Sequence, residues 1–469
     1  MKLILLFYLF LAFNAYSIIT LPEILNDNMV IQQKSNIKLW GEAKIYANVK
    51  VTASWSSLTF YCKADKNGKW QLFIPTIAAS FQKHTINISD GKSITIKNVL
   101  IGEVWFCSGQ SNMEMPIKGF ENQPIEGADY YISSAKTENG IRMYNVSRNA
   151  AIKSTKIGKG KWLECNHQDL PDCSAAAYFF ALRLQALLNV PIGIINSSYG
   201  GSSIEGWLNP IAVQKHYDFN FNENYNDENA WKRPYVMYQN MLKPFGNYVI
   251  NGFIWYQGES NVGRFASYEQ KLSDLVSLWR ATFNNPELPF YVVEITPFLY
   301  ENSVQAAKFR EAQFKGINVL KNTGFVCTND LVNESEATNI HPSQKKQIGD
   351  RLANLVLHDI YFHDTINAYS PTIDEVTITN DAVVLSFKNC YEGIQNQNEF
   401  IGFEVADSTR NFRTAKPILG PSRNTLIIKI DQGFEPKSVR YSFKNFQVGN
   451  VKNSEGLPLV PFRTDEWDN

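Results

Sequence analysis

The sequence predicts an α/β protein, a parallel sheet covered by helices on both sides and held between two all-β regions. Short apolar runs without polar alternation, at 192–196, 252–256 and 290–294, read as strands buried on both faces. Helical stretches at 175–188, 268–282, 304–315 and 343–357 fall between and after them. Repetition of strand, loop and helix makes a parallel sheet with helices on its faces. Before about residue 100 and after Tyr369 the pattern changes to alternating runs broken by turn residues, as in β-sandwiches.

The elements follow in order. Met1-Lys2, the apolar run from Leu3 to Phe13 and the small residues Ala15 and Ser17 fit a secretory signal peptide over 1–17, with a mature chain beginning near Ile18 in a secreted or periplasmic setting. That run is too short to span a bilayer comfortably. No later segment approaches the roughly 20 apolar residues of a membrane helix, so no membrane insertion of the mature chain is expected. A first β domain is expected over 18–98, with Asp65-Lys66-Asn67-Gly68-Lys69 as a hairpin turn between two of its strands. The α/β domain is expected over 99–364 and a second β domain over 365–469.

In a chain of 469 residues, 44% apolar and 19% charged, there is ample material for a folded core. The 45 basic and 45 acidic residues cancel, so no global field draws the protein to nucleic acid or anionic lipid. Aromatics reach 13%; most suit β-rich cores, although carbohydrate clefts use the same flat rings for stacking. The six cysteines have no C-x-x-C pairing of the metal-binding type, and Cys165 with Cys173 is the closest pair in sequence. Their pairing stays open. No metal or organic cofactor is implied.

Ligands of such sheets sit beyond the carboxyl ends of the strands, which directs attention to four strand-to-helix loops. The first strand runs into Ser108-Gly109-Gln110-Ser111-Asn112-Met113. A turn there can hold the Ser111 hydroxyl in a cleft, with backbone N–H groups aimed at an oxyanion. The segment departs from the G-x-S-x-G elbow of the α/β-hydrolases, and taken alone it is more often a plain turn. The second loop, 196–207, carries Gly200-Gly201, where the backbone can approach a ligand and donate an N–H. The third carries Gln257-Gly258-Glu259, whose polar side chains can bond an oxyanion or orient a catalytic group. In the fourth, Pro342 stiffens the loop that presents His341 just before a helix.

The order G-Q-S-N-M (109–113), G-G-S-x-I-E-x-W (200–207), W-Y-Q-G-E-S-N (255–261) and I-H-P (340–342) resembles the sialate O-acetylesterase family of the SGNH-hydrolase superfamily. The likeness extends to Asn28-Met29-Val30-Ile31-Gln32-Gln33 near the start and to 455–467 at the end. The resemblance implies a flavodoxin-like three-layer α/β/α core between the β-sandwich-like domains. It also implies a serine esterase that removes O-acetyl groups from sialic acids through an acetyl-enzyme. On this match Ser111 is the nucleophile and His341 the base, while Gly201, Gln257 and Glu259 belong to the oxyanion-hole and substrate loops. The partner implied is an acetylated sugar or glycan. Relatives that act on acetylated plant polysaccharides leave xylan or pectin as the alternative substrate class, and a degenerate carbohydrate-binding protein as the non-catalytic one.

One departure stands out. The family commonly places Asp three residues before the histidine, or directly before I-H-P, and here Thr338 and Asn339 occupy those positions. An orienting carboxylate fixes the imidazole tautomer and stabilises its cation. Glu336, Glu334 and Asp330 on the same segment, or Glu259 from across the site, are the acids that could replace it; Asn339 or a backbone carbonyl could orient the ring more weakly.

Overall fold

The computed structural model describes residues 19–137, 139–153, 157–216, 227–301, 304–379 and 381–467. The expected signal peptide over 1–17 lies outside the described residues. No helix among the described residues is long and apolar enough to cross a membrane.

The parallel sheet is built from β1 (Ser93–Gly109), β2 (Ile141–Val146), β4 (Ile192–Ser198), β5 (Gly252–Tyr256), β6 (Phe290–Val293) and β7 (Thr323–Val326), with β3 (Gly160–Leu163) antiparallel at the β2 edge. Their order is β7-β6-β5-β1-β4-β2-β3. The non-alternating runs form strands β4, β5 and β6, buried at every position, because helices cover both faces. One layer is α1 (Ala175–Leu188) with α4 (Lys345–Asp359), sharing a core with Trp105, Ile194 and Ile254. The other is α2 (Tyr268–Thr282) with α3 (Gln305–Asn318), packed on Phe106, Phe253 and Trp255. Numbered along the chain, the six parallel strands lie in the order 2-3-1-4-5-6, which differs from the 2-1-3-4-5 of flavodoxin on the β2–β4 side. The order reverses at β1, so the crevice beyond the sheet's carboxyl edge opens where β1 ends at Gly109.

Helix α3 runs to Asn318, past the expected end at Lys315. Gly316 serves packing: a Cβ there would lie 3.0 Å from the Glu269 backbone of α2.

The change of pattern near Val99 falls inside one strand. The first part of β1 pairs antiparallel with Ser80–Ser89, and the part from Glu103 onward lies between β4 and β5. Strands Asn36–Glu42 and Lys69–Pro75 pair with each other, whereas Thr59–Lys63 pairs with Asn48–Ala53. The Asp65 turn does form, its carboxylate accepting from Asn67 and Lys69 N–H at 2.8 Å. The strands on either side of it then part into different sheets, so the turn is a crossing between sheets and not the expected hairpin. The side chains of this region share one continuous core with the α2–α3 layer.

Beyond Tyr369, one sheet holds Thr372–Ile378, Ala382–Lys388, Ile418–Leu419 and Thr425–Lys429, and another holds Phe403–Ala406, Arg413–Ala415, Ser438–Tyr441 and Phe462–Arg463. They share a separate core that includes Val383, Leu385, Phe403, Leu426 and Tyr441. Arg310 of α3 joins this region to the sheet layer by donating to the Ser442 and Lys444 carbonyls at 3.1 and 2.7 Å.

Candidate active site

Strand β1 ends in a sharp turn that only glycine allows. Gly109 has φ +148°, and a Cβ there would lie 2.0 Å from the Tyr256 carbonyl. The chain then enters a single helical turn, Ser111–Glu114, which lifts Ser111 over the sheet edge. Gln110 is buried, and its Oε1 accepts from the Gly258 and Ser260 N–H groups at 3.2 and 3.4 Å, so the serine turn and the loop after β5 are locked together.

The structure brings Ser111 and His341 into contact, with Oγ 2.7 Å from Nε2. Both are half-buried. The other ring nitrogen, Nδ1, meets Gln123 Oε1 at 2.8 Å, and Phe120 packs edge-on against the imidazole with centroids 5.1 Å apart. Burial first, and then the ammonium of Lys345, lower the imidazole to about 4.

The acids considered for orienting His341 do other work. Asp330 is bound by both arms of Arg351 at 2.8 Å and by Lys452 at 2.8 Å, a joint between α4 and the C-terminal β region. Glu336 closes a capping box with Asn333 and accepts from Ser343 N–H at 3.0 Å. Asn339 Oδ1 accepts from the backbone N–H of His341, not from its ring. Glu334 begins the same short helical turn as Glu336. Glu259 faces Asn112. Closeness in sequence therefore misleads here, because Asp330 and Glu336 are engaged by partners other than the ring. Gln123 comes from 218 residues upstream, in a polar stretch, Glu121-Asn122-Gln123-Pro124, that carries no motif.

Of the two adjacent glycines, Gly200 spends its N–H on Glu114 Oε2 at 2.9 Å. Gly201 follows at φ +77°, its carbonyl accepting from the Ser260 hydroxyl at 2.8 Å. A methyl group at Gly200 would sit 3.6 Å from Ser111 Cβ and 3.4 Å from Arg148 Nη2. At Gly201 it would meet Trp231 at 3.1 Å, and Trp231 is exposed. Arg148 donates to both oxygens of Glu114 and lies over the Tyr199 ring.

Gln257 differs from the expectation of a side chain facing substrate. It is fully buried, donates to the Ser202 carbonyl at 3.1 Å and Asn261 Oδ1 at 2.8 Å, and accepts from the Tyr268 hydroxyl at 2.8 Å. Its amide holds the loops after β4 and β5 together. Asn261 in turn accepts from Ile204 N–H at 2.9 Å and donates to Glu205. The glutamate of the G-G-S-x-I-E-x-W segment is thus an interior anchor.

Behind the serine lies a buried relay. Asn112 Nδ2 donates to Glu259 Oε1 and to the Ile340 carbonyl at 3.0 Å, while its Oδ1 accepts from Lys345 Nζ at 2.6 Å. One amide thereby ties the serine turn to the residue before His341. Burial lowers Lys345 to about 7 against the pull of Glu259 and Glu336; burial also raises the Glu259 carboxyl. Lys345 was not singled out from the sequence, yet a signal exists. It precedes Ile348 and Leu352 by three and seven residues, on the buried face of α4.

Cys165 and Cys173 meet as buried thiols, sulfur to sulfur 3.4 Å. Among the described residues no group of three or more His, Cys, Asp or Glu side chains is arranged to hold a metal ion.

The family model described as carbohydrate esterase, sialic acid-specific acetylesterase, matches residues 101–358, more than half of the chain. The sialate O-acetylesterase of Homo sapiens is 26% identical over 366 residues, covering 70% of this chain and 68% of its own. That of Mus musculus is 25% identical over 514 residues, covering 93% and 92%. A crystal structure of a carbohydrate acetylesterase from Xanthomonas citri superposes with a TM-score of 0.86 at 28% identity, covering 96% of this chain and 100% of that one. The chain is a carboxylic ester hydrolase, and it belongs to the sialic acid-specific acetylesterase family of carbohydrate esterases.

Proposed function

We propose that this protein removes O-acetyl groups from sialic acids by a serine mechanism on an SGNH-type core. The observation that carries the mechanism is the 2.7 Å contact between Ser111 Oγ and His341 Nε2. His341 takes the Ser111 proton as the oxygen attacks the acetyl carbonyl. The oxyanion is held by the N–H groups of Ser111 and Gly201. In support, the Gly200 N–H is engaged by Glu114, while neither of those two donors makes a hydrogen bond among the described residues. The protonated imidazole then gives its proton to the departing sugar oxygen, leaving acetyl-Ser111. Water loses a proton to His341, attacks the acyl carbon and frees acetate, and the proton returns to Ser111.

Trp231, exposed against Gly201, offers a sugar ring a flat face. The sialic acid assignment draws on the sialate O-acetylesterase relatives and on the half-exposed guanidinium of Arg148 beside Gly200, which suits an anionic sugar. The division into units 18–98, 99–364 and 365–469, and export with cleavage near Ile18, belong to the same proposal; N-terminal sequencing of protein from its native compartment tests the export.

The deciding experiment measures acetate release from O-acetylated sialic acids, xylan and pectin by the parent and by Ser111→Ala. The parent is expected to prefer sialates, and Ser111→Ala to lose about 10⁴-fold or more in kcat with an unchanged circular dichroism spectrum. Turnover retained by a folded Ser111→Ala protein removes Ser111 from the mechanism. Turnover by the parent on xylan or pectin alone replaces the substrate.

A further inference from the structure

We propose that Gln123 is the positioning residue of the esterase site, its Oε1 accepting the Nδ1–H of His341 so that Nε2 is left to receive the Ser111 proton. The inference rests on the Ser111–His341 reading. It starts from two distances on one ring, 2.8 Å from Nδ1 to Gln123 Oε1 and 2.7 Å from Nε2 to Ser111 Oγ. An imidazole with acceptors on both sides can serve as a base toward serine only if its single proton sits on Nδ1. A carbonyl oxygen at Nδ1 selects that tautomer.

The surroundings hold the amide at this point. Gln123 and Phe120 exchange backbone hydrogen bonds at 3.0 and 3.1 Å. Phe120 packs against the ring edge. Glu126 N–H reaches the Ser343 carbonyl at 3.1 Å, tying this loop to the one that carries His341. Asp330 and Glu336 do not compete, since they are bound elsewhere.

A carboxamide differs from the usual carboxylate in two ways. It is neutral, so it orients the ring without the charge that stabilises an imidazolium. It also has two unlike ends. Turned over, Gln123 would present Nε2–H to Nδ1 and force the ring proton onto the nitrogen that faces Ser111, an unproductive state. Among the described residues no acceptor engages Gln123 Nε2. A glutamate at 123 would accept with either oxygen and add the missing charge. Around the ring, the charged group facing His341 is Lys345 on α4, with Glu259 and Glu336 near that ammonium.

The test compares Gln123→Leu and Gln123→Glu with the parent in kcat, KM, the acidic limb of kcat/KM and the His341 tautomer. The tautomer is read by nitrogen NMR of ¹⁵N-histidine-labelled full-length protein, with the signal assigned by its loss in His341→Asn. Gln123→Leu is expected to lower kcat on the order of tenfold or more with little change in KM, and to mix the two tautomers. Gln123→Glu is expected to restore or exceed parental kcat and to move the acidic limb upward, because a carboxylate favours the charged imidazole. A merely structural role would leave the tautomer and the acidic limb unmoved. A parent ring protonated at Nε2, or a folded Gln123→Leu protein with the parental tautomer and kcat, overturns the proposal. The ring signal is read independently of turnover, so failure of the Ser111 mechanism, seen in Ser111→Ala, stays distinguishable from failure of Gln123.

Discussion

Two buried glutamates near this site live under opposite conditions. Glu205 touches its cations directly, with Lys271 Nζ at 2.8 Å, Arg264 at 3.2 and 3.3 Å, and Asn261 adding a donor at 3.0 Å. Burial opposes the charge, but these partners outweigh it and hold the carboxyl at about 2. Glu259 is separated from its cation, Lys345, by the Asn112 amide. Its Oε2 has no hydrogen-bond partner among the described residues, and burial drives both groups toward neutrality. The difference is one of purpose. Directly paired charges with every lone pair engaged make a rigid scaffold under the Gly200–Trp207 loop. Charges split by an amide leave the Lys345 ammonium beside the His341 imidazole.

The largest expected effect tests the scaffold. Glu205→Gln removes the buried carboxylate that Lys271 and Arg264 both contact and should cost about 3–5 kcal/mol in urea unfolding. Glu259→Gln removes a charge that has no direct ionic contact among the described residues and should cost about 1–2 kcal/mol. Equal losses would break the comparison.

Next comes the amide between the charges. Asn112→Ala frees the Ile340 carbonyl and Lys345, loosening the loop that presents His341. Because a misplacement of about 1 Å can cost on the order of 100-fold, kcat should fall by about 10- to 100-fold while the fold persists. A variant with parental kcat would mean that Asn112 is not needed to hold His341.

A smaller effect concerns pH. The base must be neutral, so kcat/KM of the parent should hold down to an acidic limb near pH 4. Lys345→Met removes the cation that disfavours imidazolium, and the limb should move upward; a limb that stays in place would show that burial alone sets the ring.

The last test is stability against pH. Lys345 ionises at about 7 in the fold against 10.5 ordinarily, so between those values the unfolded chain binds more protons and stability rises with pH. Glu205, at about 2 against 4.5, gives the opposite end of the profile, with stability lost as pH falls from 4.5 toward 2. Urea midpoints should lose the alkaline rise in Lys345→Met and the acidic fall in Glu205→Gln, each variant leaving the other slope in place.

By itself the sequence determined the layer architecture and the loops that meet at the sheet edge. Short apolar runs without alternation, set between helical stretches, suit strands covered on both faces, and the turn that follows β1 is where Ser111 emerges. The helical stretches read at 175–188 and 268–282 match α1 and α2 at their observed lengths. Only the tertiary structure decided which side chains face one another. Asp330, Glu336 and Asn339 lie within eleven residues or fewer of His341 in the chain, yet Arg351, Ser343 and the His341 backbone claim them. Gln123, far away in sequence, reaches the ring. The parting of the strands around the Asp65 turn and the inward amide of Gln257 have the same origin. Hydrophobic patterning acts along an element and can be read from it, whereas a hydrogen bond depends on the position and direction of two side chains, which the packing of distant segments sets.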